Sequence, residues 1–297
     1  MRVHHINCGC MCPVGGPLFD GYSRSLTATL VCHCLLIETG QDGLVLVDTG
    51  FGSQDIEEPK SHLSGFFRVL NNIQLEHRYT AVERVRSLGF SPEDVRHILL
   101  THLDFDHAGG LEDFPKATVH VMQREKDAAR SARGFITNRR YRPIQWEKVE
   151  DWEFYEPGGE RWFGFEGARE LRGLPPELLF IPLAGHTAGH AGIAVKQDEG
   201  WLLHAGDAYF YRGEINRARH RCPPGLRFYQ QMMEVDRRSR MANQRRLRQL
   251  YRQHSDEVRI FCAHDAEELE RMQERQLAQQ RRWKREAPQF HEEPQHV

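Results

Sequence analysis

The chain has 297 residues, a formal net charge of −2 and 28% charged residues. This balance excludes the overall basic bias of a dedicated nucleic-acid-binding protein and gives no reason to expect a membrane surface as partner. No apolar run approaches the roughly 18 residues that span a bilayer. The N-terminal stretch MRVHHINCGCMCPVGG lacks the apolar segment of a secretory signal, so we expect a cytoplasmic protein with no membrane association.

Five of the seven cysteines lie near the N-terminus, at Cys8, Cys10, Cys12, Cys32 and Cys34. Their spacing is not the two-residue spacing of a zinc knuckle. In a reducing compartment we expect free thiols, some of them in the core on strands.

The first predicted elements form a hairpin. Residues 28–52 contain two runs rich in Val, Leu and Ile, joined by a turn with Gly40, Asp42 and Gly43. A helix is predicted over residues 80–88, ending at Gly89. In the following SPEDVRHILLTH, Ser91 is a candidate N-cap and Pro92 a first helical residue.

A short strand is predicted over residues 97–101, and THLDFDHAGG follows its carboxyl end, where open α/β sheets place their sites. ATVHVM then predicts another strand, and QREKDAARSA a polar helix. Residues 135–165 scatter aromatic side chains among charges and glycines. This segment, extended to residues 135–170 as an insertion, is either a lid over a pocket or a piece of ordinary core.

Three later strands each end in a ligand-capable residue, in LLFIPLAGH, WLLHAGD and RIFCAHD. With THLDFDH, four strands therefore carry His or Asp at their ends. Strands and interspersed helices in two successive halves predict two sheets covered by helices, within a single domain over residues 1–265. A charged helix and a loose tail are predicted over residues 266–297, and the helix could contribute to a homodimer.

Imidazoles and carboxylates recur at these strand ends in the number that a two-metal hydrolase requires, with one carboxylate to bridge the ions. Each alone has an ordinary structural explanation. Together they indicate a metal centre. Apart from Asp104, which is discussed below, the candidate ligands are His102, Asp106, His107, His186, Asp207 and His264.

The motifs HLDFDHAGG, GHTAGH, HAGDAYF and CAHD, together with the VDTG of residues 47–50, resemble the ordered motifs of the metallo-β-lactamase-fold hydrolases. The resemblance runs from about residue 27 to about residue 265. It is strongest to the branch of the N-acyl homoserine lactonases, which share the strand pair leading to VDTG, the DHAGG ending and the GHTxGH motif.

The resemblance implies a four-layer αββα sandwich with two divalent metals at one edge of the paired sheets. The first metal would take His102, His186 and the side chain at position 104. The second would take Asp106, His107 and His264, with Asp207 bridging both. A shared hydroxide would attack a lactone or carboxylic ester carbonyl, and Asp106 would help to orient the nucleophile or to move a proton.

Other polar residues in these motifs receive supporting roles. Asp48 resembles the Asp-Thr-Gly of aspartic proteases, but such enzymes need two aspartates, so we expect it to hold the tautomer of a ligand histidine. His190 and His204 are expected to be hydrogen-bonded neighbours rather than ligands. Tyr209 is a candidate for the oxyanion, although the related lactonases carry their tyrosine one position later, where this chain has Phe210.

Asp104 is the main departure from the family motif, since it replaces the second histidine of His-x-His-x-Asp-His. If Asp104, Asp106 and Asp207 all ligate, their three negative charges and one hydroxide balance two divalent ions. An additional anionic oxygen donor should weaken the Lewis acid and shift preference toward iron or manganese, with zinc still the default. Alternatively, Asp104 points away and leaves the first site under-coordinated.

The sequence is compatible with several functions. A lactone or carboxylic ester is the leading small-molecule substrate, and a glyoxalase II-like thioesterase is next because that branch shares GHTAGH. Residues 211–252 hold twelve arginines against three acidic residues, which would suit a phosphodiesterase, but a solvated basic helix explains them as well. A family member that has lost turnover through Asp104 is the non-catalytic alternative.

Overall fold

Two β-sheets pack face to face in the computed structural model, which describes residues 1–40, 42–216 and 221–286, with side chains as far as Arg281. The first sheet contains seven strands in this part of the chain: β1 (Arg2–Met11), β2 (Leu30–Glu38), β3 (Leu44–Val47), β4 (Ile73–Gln74), β5 (Val95–Leu99), β6 (Thr118–Met122) and β7 (Trp152–Tyr155). Their order is β4-β1-β2-β3-β5-β6-β7. The strands β3, β5, β6 and β7 run parallel, so their carboxyl ends meet at one edge.

The second sheet has six strands in the described residues: β8 (Glu160–Trp162), β9 (Phe165–Glu170), β10 (Leu178–Pro182), β11 (Ala191–Gln197), β12 (Gly200–His204) and β13 (Val258–Phe261). They lie in the order β13-β12-β11-β10-β9-β8, and only β12 and β13 pair in parallel.

Helices cover both outer faces. They are α1 (Pro17–Asp20), α2 (Ser53–Glu57), α3 (Pro59–His62), α4 (Gly65–Leu70), α5 (Ala81–Ser87), α6 (Gln123–Arg130), α7 (Thr137–Arg140), α8 (Pro224–Met233), α9 (Arg237–Gln253) and α10 (Ala266–Glu286). The result is the predicted four-layer αββα sandwich.

Strand periodicity places the core. On β2, Leu35 and Ile37 face the space between the sheets with Phe180 and Ile193, whereas Leu36 faces outward with the helices. Alternate residues of a strand point to opposite faces, so a continuous apolar run such as that of β2 serves two cores. The predicted hairpin is confirmed, with Leu35 opposite Val47. The N-terminal cysteines on β1 and β2 are buried free thiols, as expected.

Several boundaries differ from the sequence predictions. The strand expected over residues 97–101 is Val95–Leu99, because its parallel pairing with β3 begins at Leu44 and Val95. Only a short 3-10 turn forms at Pro92–Asp94. Within the described residues, no helix combines the length and the apolarity needed to cross a bilayer.

The aromatic segment from residue 135 contains α7, followed by β7 and β8, each at an edge of its sheet, and by the start of β9. Trp146 and Trp162 are buried in two different cores. Most of this segment therefore crosses from the first sheet to the second.

The C-terminal helix α10 packs on β1, where Gln276 accepts a hydrogen bond from the backbone of His5. The predicted tail beyond residue 288 lies outside the described residues.

Candidate metal centre

Four strand ends bring the predicted ligands to one edge of the sandwich. His102, Asp104, Asp106 and His107 lie in the turn that follows β5, and His186 lies between β10 and β11. Asp207 follows β12, and His264 follows β13. All seven side chains are buried, none more than 5% exposed.

These residues form two groups with ligand atoms close enough to hold a metal ion. The first ligand group is His102, Asp104, His186 and Asp207, and the second ligand group is Asp106, His107 and His264. Asp104 does not point away, since its Oδ2 lies 3.3 Å from His102 Nε2 and 3.0 Å from His186 Nε2.

The Asp207 carboxylate lies between the two groups. Its Oδ2 lies 3.7 Å from His102 Nε2 and 3.2 Å from His186 Nε2. Its Oδ1 lies 3.4 Å from His107 Nε2 and 3.1 Å from His264 Nε2. Oδ2 also lies 3.2 Å from His264 Nε2, so the carboxylate is within reach of histidines of both groups, as a bridging ligand requires.

Buried polar atoms without partners show that the residues fit metal ions. His102 Nε2, His107 Nε2 and Asp207 Oδ1 have no hydrogen-bond partner among the described residues. Leaving a buried polar atom unpaired costs about 1–3 kcal/mol, and a cation would remove that cost. The separations of 3.0–3.7 Å in the first ligand group also suit a tetrahedral ion, since bonds of about 2.1 Å place ligands roughly 3.4 Å apart.

In the second ligand group, partners on the far side of the ring fix the tautomers of both histidines. His107 Nδ1 lies 2.8 Å from Asp48 Oδ2, and His264 Nδ1 lies 2.8 Å from the carbonyl oxygen of Val31. Because each Nδ1 is engaged as a donor, each Nε2 is free to face the centre. Asp48 therefore lies where the predicted role requires it. Asp48 has a φ of 56°, a left-handed conformation rare outside glycine, and its carboxylate also accepts from the backbone and hydroxyl of Thr101.

Neighbouring charges shift the pKa values of His107 and Asp207. Burial lowers the pKa of His107, but the carboxylates of Asp207 and Asp48 outweigh it and hold that pKa well above its ordinary value. Burial likewise raises the pKa of Asp207, yet His264 and His107 bring it well below the ordinary value. The carboxylate is therefore ionised and ready to bind a cation.

His190 and His204 shape the turn that presents Asp207. His190 Nε2 accepts from the Asp207 backbone N–H at 2.9 Å, and His204 Nδ1 accepts from that of Gly206 at 3.1 Å. Gly206 has a φ of 51°, and a Cβ there would lie 2.6 Å from His190 Nε2. Both histidines are thus engaged with backbone groups, and neither belongs to a ligand group.

A buried arginine that the sequence did not single out contacts Asp104. Arg140, the last residue of α7, donates from Nε to Asp104 Oδ1 at 2.6 Å and from Nη2 to Oδ2 at 2.5 Å. Both side chains are 1% exposed. Burial raises the pKa of Asp104, but the charges of Arg140 and His102 outweigh it and hold the pKa well below its usual range. The charge balance drawn from the sequence counted only the ligands and a hydroxide, so it did not include the charge of Arg140.

No sequence pattern distinguishes Arg140 from its neighbour Arg139, because both lie in a polar run. Tertiary pairing separates them. The Phe105 backbone N–H donates to the Arg140 carbonyl at 3.1 Å, and Asp104 pairs with Tyr141 in a β-bridge. The ligand turn after β5 is therefore joined directly to the segment that carries Arg140.

Glu125 on α6 connects the turns of the first ligand group and was also missed. Its carboxylate accepts from the backbone of Leu103 at 3.1 Å and of Gly189 at 3.0 Å, and from the Tyr141 hydroxyl at 3.2 Å. This carboxylate holds the turns after β5 and β10 at a fixed distance.

Two tyrosines lie in positions that the sequence did not predict. The Tyr209 hydroxyl donates to Glu268 at 3.0 Å, in the core behind the second sheet rather than in either ligand group. Tyr229 on α8 is partly exposed, and its hydroxyl accepts from Asn71 at 3.1 Å. Burial raises the pKa of Tyr229 well above its ordinary value, and the charge of Asp106 raises it further. The Tyr229 ring lies 6.0 Å from the Phe210 ring, which in turn lies 5.1 Å from the His264 ring.

A model of the Metallo-beta-lactamase superfamily matches residues 28–264 of this chain. The chain belongs to the metallo-β-lactamase superfamily. The matched span begins just before β2 and ends on His264, and so contains every candidate ligand. The architecture and the family predicted from the sequence are therefore confirmed.

Relatives within the superfamily agree at the level of metallo-hydrolase. A probable metallo-hydrolase of Mycobacterium tuberculosis is 40% identical over 265 residues, covering 89% of this chain and 80% of the relative. An N-acyl homoserine lactonase of Bacillus cereus is 26% identical over 201 residues, covering 64% and 71%. A solved N-acyl homoserine lactone hydrolase with N-hexanoyl-L-homoserine at its catalytic metal center shares the fold, with a TM-score of 0.66 at 20% identity, covering 91% and 95%.

Proposed function

We propose that this metallo-hydrolase cleaves a lactone or carboxylic ester at a two-metal centre. The observation that carries the proposal is the Asp207 carboxylate, whose oxygens lie 3.1–3.7 Å from histidine nitrogens of both ligand groups. Similarity to N-acyl homoserine lactonases supports the substrate class. Divalent ions, zinc by default and otherwise iron or manganese, would supply a hydroxide at neutral pH and polarise the carbonyl.

The ligand sets follow from the two groups. His102, Asp104 and His186 would hold the first metal, and Asp106, His107 and His264 the second, with Asp207 shared. Nitrogen and oxygen donors of this kind suit zinc as well as iron and manganese.

Asp106 is the residue proposed to move a proton to the leaving group. Its Oδ2 lies 3.6 Å from His264 Nε2, so the carboxylate faces the centre, where a substrate would bind. A carboxylate within reach of the leaving group can relay a proton to it.

We assign to Tyr229 the contact with the oxyanion for which the sequence suggested Tyr209. Tyr229 is partly exposed and packs against Phe210, whose ring lies 5.1 Å from the His264 ring, whereas the Tyr209 hydroxyl is engaged by Glu268. A phenol in this position can donate a hydrogen bond to the carbonyl oxygen as negative charge develops there. The proton stays on oxygen at neutral pH because its pKa is raised.

A substrate panel tests the proposal. Homoserine lactones with short and long acyl chains, a glutathione thioester, an aryl ester and a bis-aryl phosphodiester are each assayed with zinc, manganese and iron, with Asp207→Ala as the inactive control. The proposal expects the largest metal-dependent kcat/KM on a lactone or carboxylic ester. Faster turnover of the thioester or the phosphodiester would reassign the substrate class, and no turnover in any condition would favour a non-catalytic protein.

A further inference from the structure

The guanidinium of Arg140 has all five of its N–H donors engaged inside the protein. Besides the two bonds to Asp104, Nη1 donates to the carbonyl oxygens of Met233 at 2.5 Å and His186 at 3.3 Å. Nη2 also lies 2.7 Å from His186 Nε2. A buried arginine with every donor satisfied is fixed in position, because moving it would break several bonds at once.

Two of these bonds reach atoms that a first metal would need. Asp104 Oδ2 and His186 Nε2 both belong to the first ligand group, and both accept from Nη2. A neutral imidazole nitrogen has a single lone pair, so His186 Nε2 can accept from Arg140 or bind a metal, but cannot do both.

The second ligand group has no comparable competitor among the described residues. His107 Nε2 and Asp207 Oδ1 have no hydrogen-bond partner, and His264 Nε2 faces Asp207 at 3.1 Å. The partners that do contact this group, Asp48 and the Val31 carbonyl, bind the far side of each ring. They raise the basicity of the ligand nitrogens instead of occupying them.

Charge acts in the same direction as geometry. A permanent cation beside the first ligand group repels a divalent ion there, and burial reduces the screening by water. The Asp104 carboxylate, which attracts a metal, is already paired with that cation. Asp104 and Arg140 together are therefore electrically equivalent to the neutral histidine of the family motif, but with a fixed positive charge close to the metal position.

From these contacts we infer that Arg140 makes the two metal positions unequal: the second ligand group binds a divalent ion first, and the first ligand group binds one about 100-fold more weakly. This inference rests on the proposed function, since it presupposes a metal centre. In the one-metal form, the guanidinium supplies the positive charge at the first position.

Zinc titration of the full-length protein tests the inference. Metal is removed with a chelator, the protein is equilibrated with buffered free zinc over a wide range, and bound zinc per chain is measured by mass spectrometry. The wild type should bind one equivalent tightly and a second at about 100-fold higher free zinc. Arg140→Met should bring the second step down by at least about tenfold, because it frees His186 Nε2 and removes the repulsion.

Two further variants keep the test decisive. Asp104→His/Arg140→Met removes the buried pair together, so it does not depend on Arg140→Met folding alone, and it should bind two equivalents in closely spaced steps. Arg139→Met is the matched control, because Arg139 bonds only the Phe135 carbonyl among the described partners and should leave both steps unchanged.

Two equivalents bound by the wild type in a single step would overturn the inference. So would loss of the second equivalent in Arg140→Met with the fold intact by circular dichroism, since that result would make Arg140 a residue that positions Asp104 for ligation. Absence of bound zinc from the wild type at any concentration would instead refute the metal centre itself, which is the failure of the proposed function.

Discussion

The two ligand groups share Asp207 but differ in what lies behind their other ligands. In the second ligand group, Asp48 and the Val31 carbonyl bind the outer nitrogens of His107 and His264 and turn the inner nitrogens toward the centre. In the first ligand group, the buried Arg140 binds ligand atoms directly. Residues of similar type at similar strand ends can therefore differ in their affinity for a cation, depending on their hydrogen-bond partners.

The largest effect is expected where the two groups meet. Asp207→Ala removes the carboxylate that faces both, so both metal equivalents should be lost and kcat/KM should fall by about 1,000-fold or more, beyond the 10- to 100-fold typical of outer partners. Metal analysis and steady-state kinetics measure this, with the exposed Asp127→Ala as control. Retention of both metals would show that Asp207 does not bridge.

Removing one histidine from each group separates the two positions. His264→Ala should abolish the tight zinc step, whereas His102→Ala should leave the tight step in place and lose only the weak one. The same buffered zinc titration measures both variants, and activity should fall by about 100-fold or more in His264→Ala. Equal loss of the tight step in both variants would contradict the difference between the groups.

Asp48 binds the far side of the His107 ring directly, whereas it reaches His102 of the first ligand group only through the Thr101 hydroxyl. Asp48→Asn keeps the shape but removes the charge that orients His107, so affinity for the tight zinc should fall by about 10- to 100-fold. Binding of zinc at fixed free-metal concentration measures the change, and Asp127→Asn serves as control. An unchanged affinity would mean that the backbone alone fixes the His107 ring.

Tyr229 and Tyr209 provide a test of which phenol serves the centre. Tyr229→Phe should lower kcat by about tenfold or more with bound metal unchanged, because only a hydrogen bond to the substrate is lost. Tyr209→Phe should leave kcat per folded molecule unchanged, since its hydroxyl contacts Glu268. The reverse order of effects would return the role to Tyr209.

The smallest effect is expected at Glu268, which binds the backbone between β13 and His264. Glu268 accepts from the Cys262 backbone N–H at 2.9 Å, and burial, followed by the charge of Asp265, raises its pKa to about 8 from 4.5. Between these values the unfolded chain loses this proton while the folded chain keeps it, so the free energy of unfolding should decrease as pH rises from about 5 to 8.

Glu268→Gln should flatten that pH dependence, because the amide does not ionise. Melting temperatures at pH 5, 6, 7 and 8, in the presence of chelator, measure the slope, and the exposed Glu270→Gln on the same helix should melt with the wild-type slope. Parallel curves for Glu268→Gln and the wild type would show that Glu268 is ionised throughout.

The sequence predicted the fold and the convergence of the candidate ligands, because both depend on local order. Apolar runs of five to nine residues end in small-residue turns, and parallel strands bring such ends to the same edge. The hairpin of β2 and β3 and the helix capped by Thr80 follow from similarly local signals. Strand limits shifted by two residues because pairing, not composition, decides where a ladder begins.

The environment of the ligands could not be predicted in the same way. Arg140 lies 36 positions after Asp104, and only the pairing of the ligand turn with the end of α7 brings them together. Tyr229, on α8, packs against Phe210 next to the His264 ring, while Tyr209, two residues after Asp207, lies on the core side of its loop. Such contacts connect residues that are distant in the chain, and composition contains no signal for them.

Removal and return of metal show whether hydrolysis depends on the ligand groups. The protein is purified without chelator, its metal content is measured, and hydrolysis of its best substrate is followed before chelation, after chelation and after metal is returned. We expect at least about one bound divalent ion per chain, loss of hydrolysis on chelation and recovery on reconstitution. Less than about one metal per chain, together with an inactive reconstituted protein, would contradict this expectation.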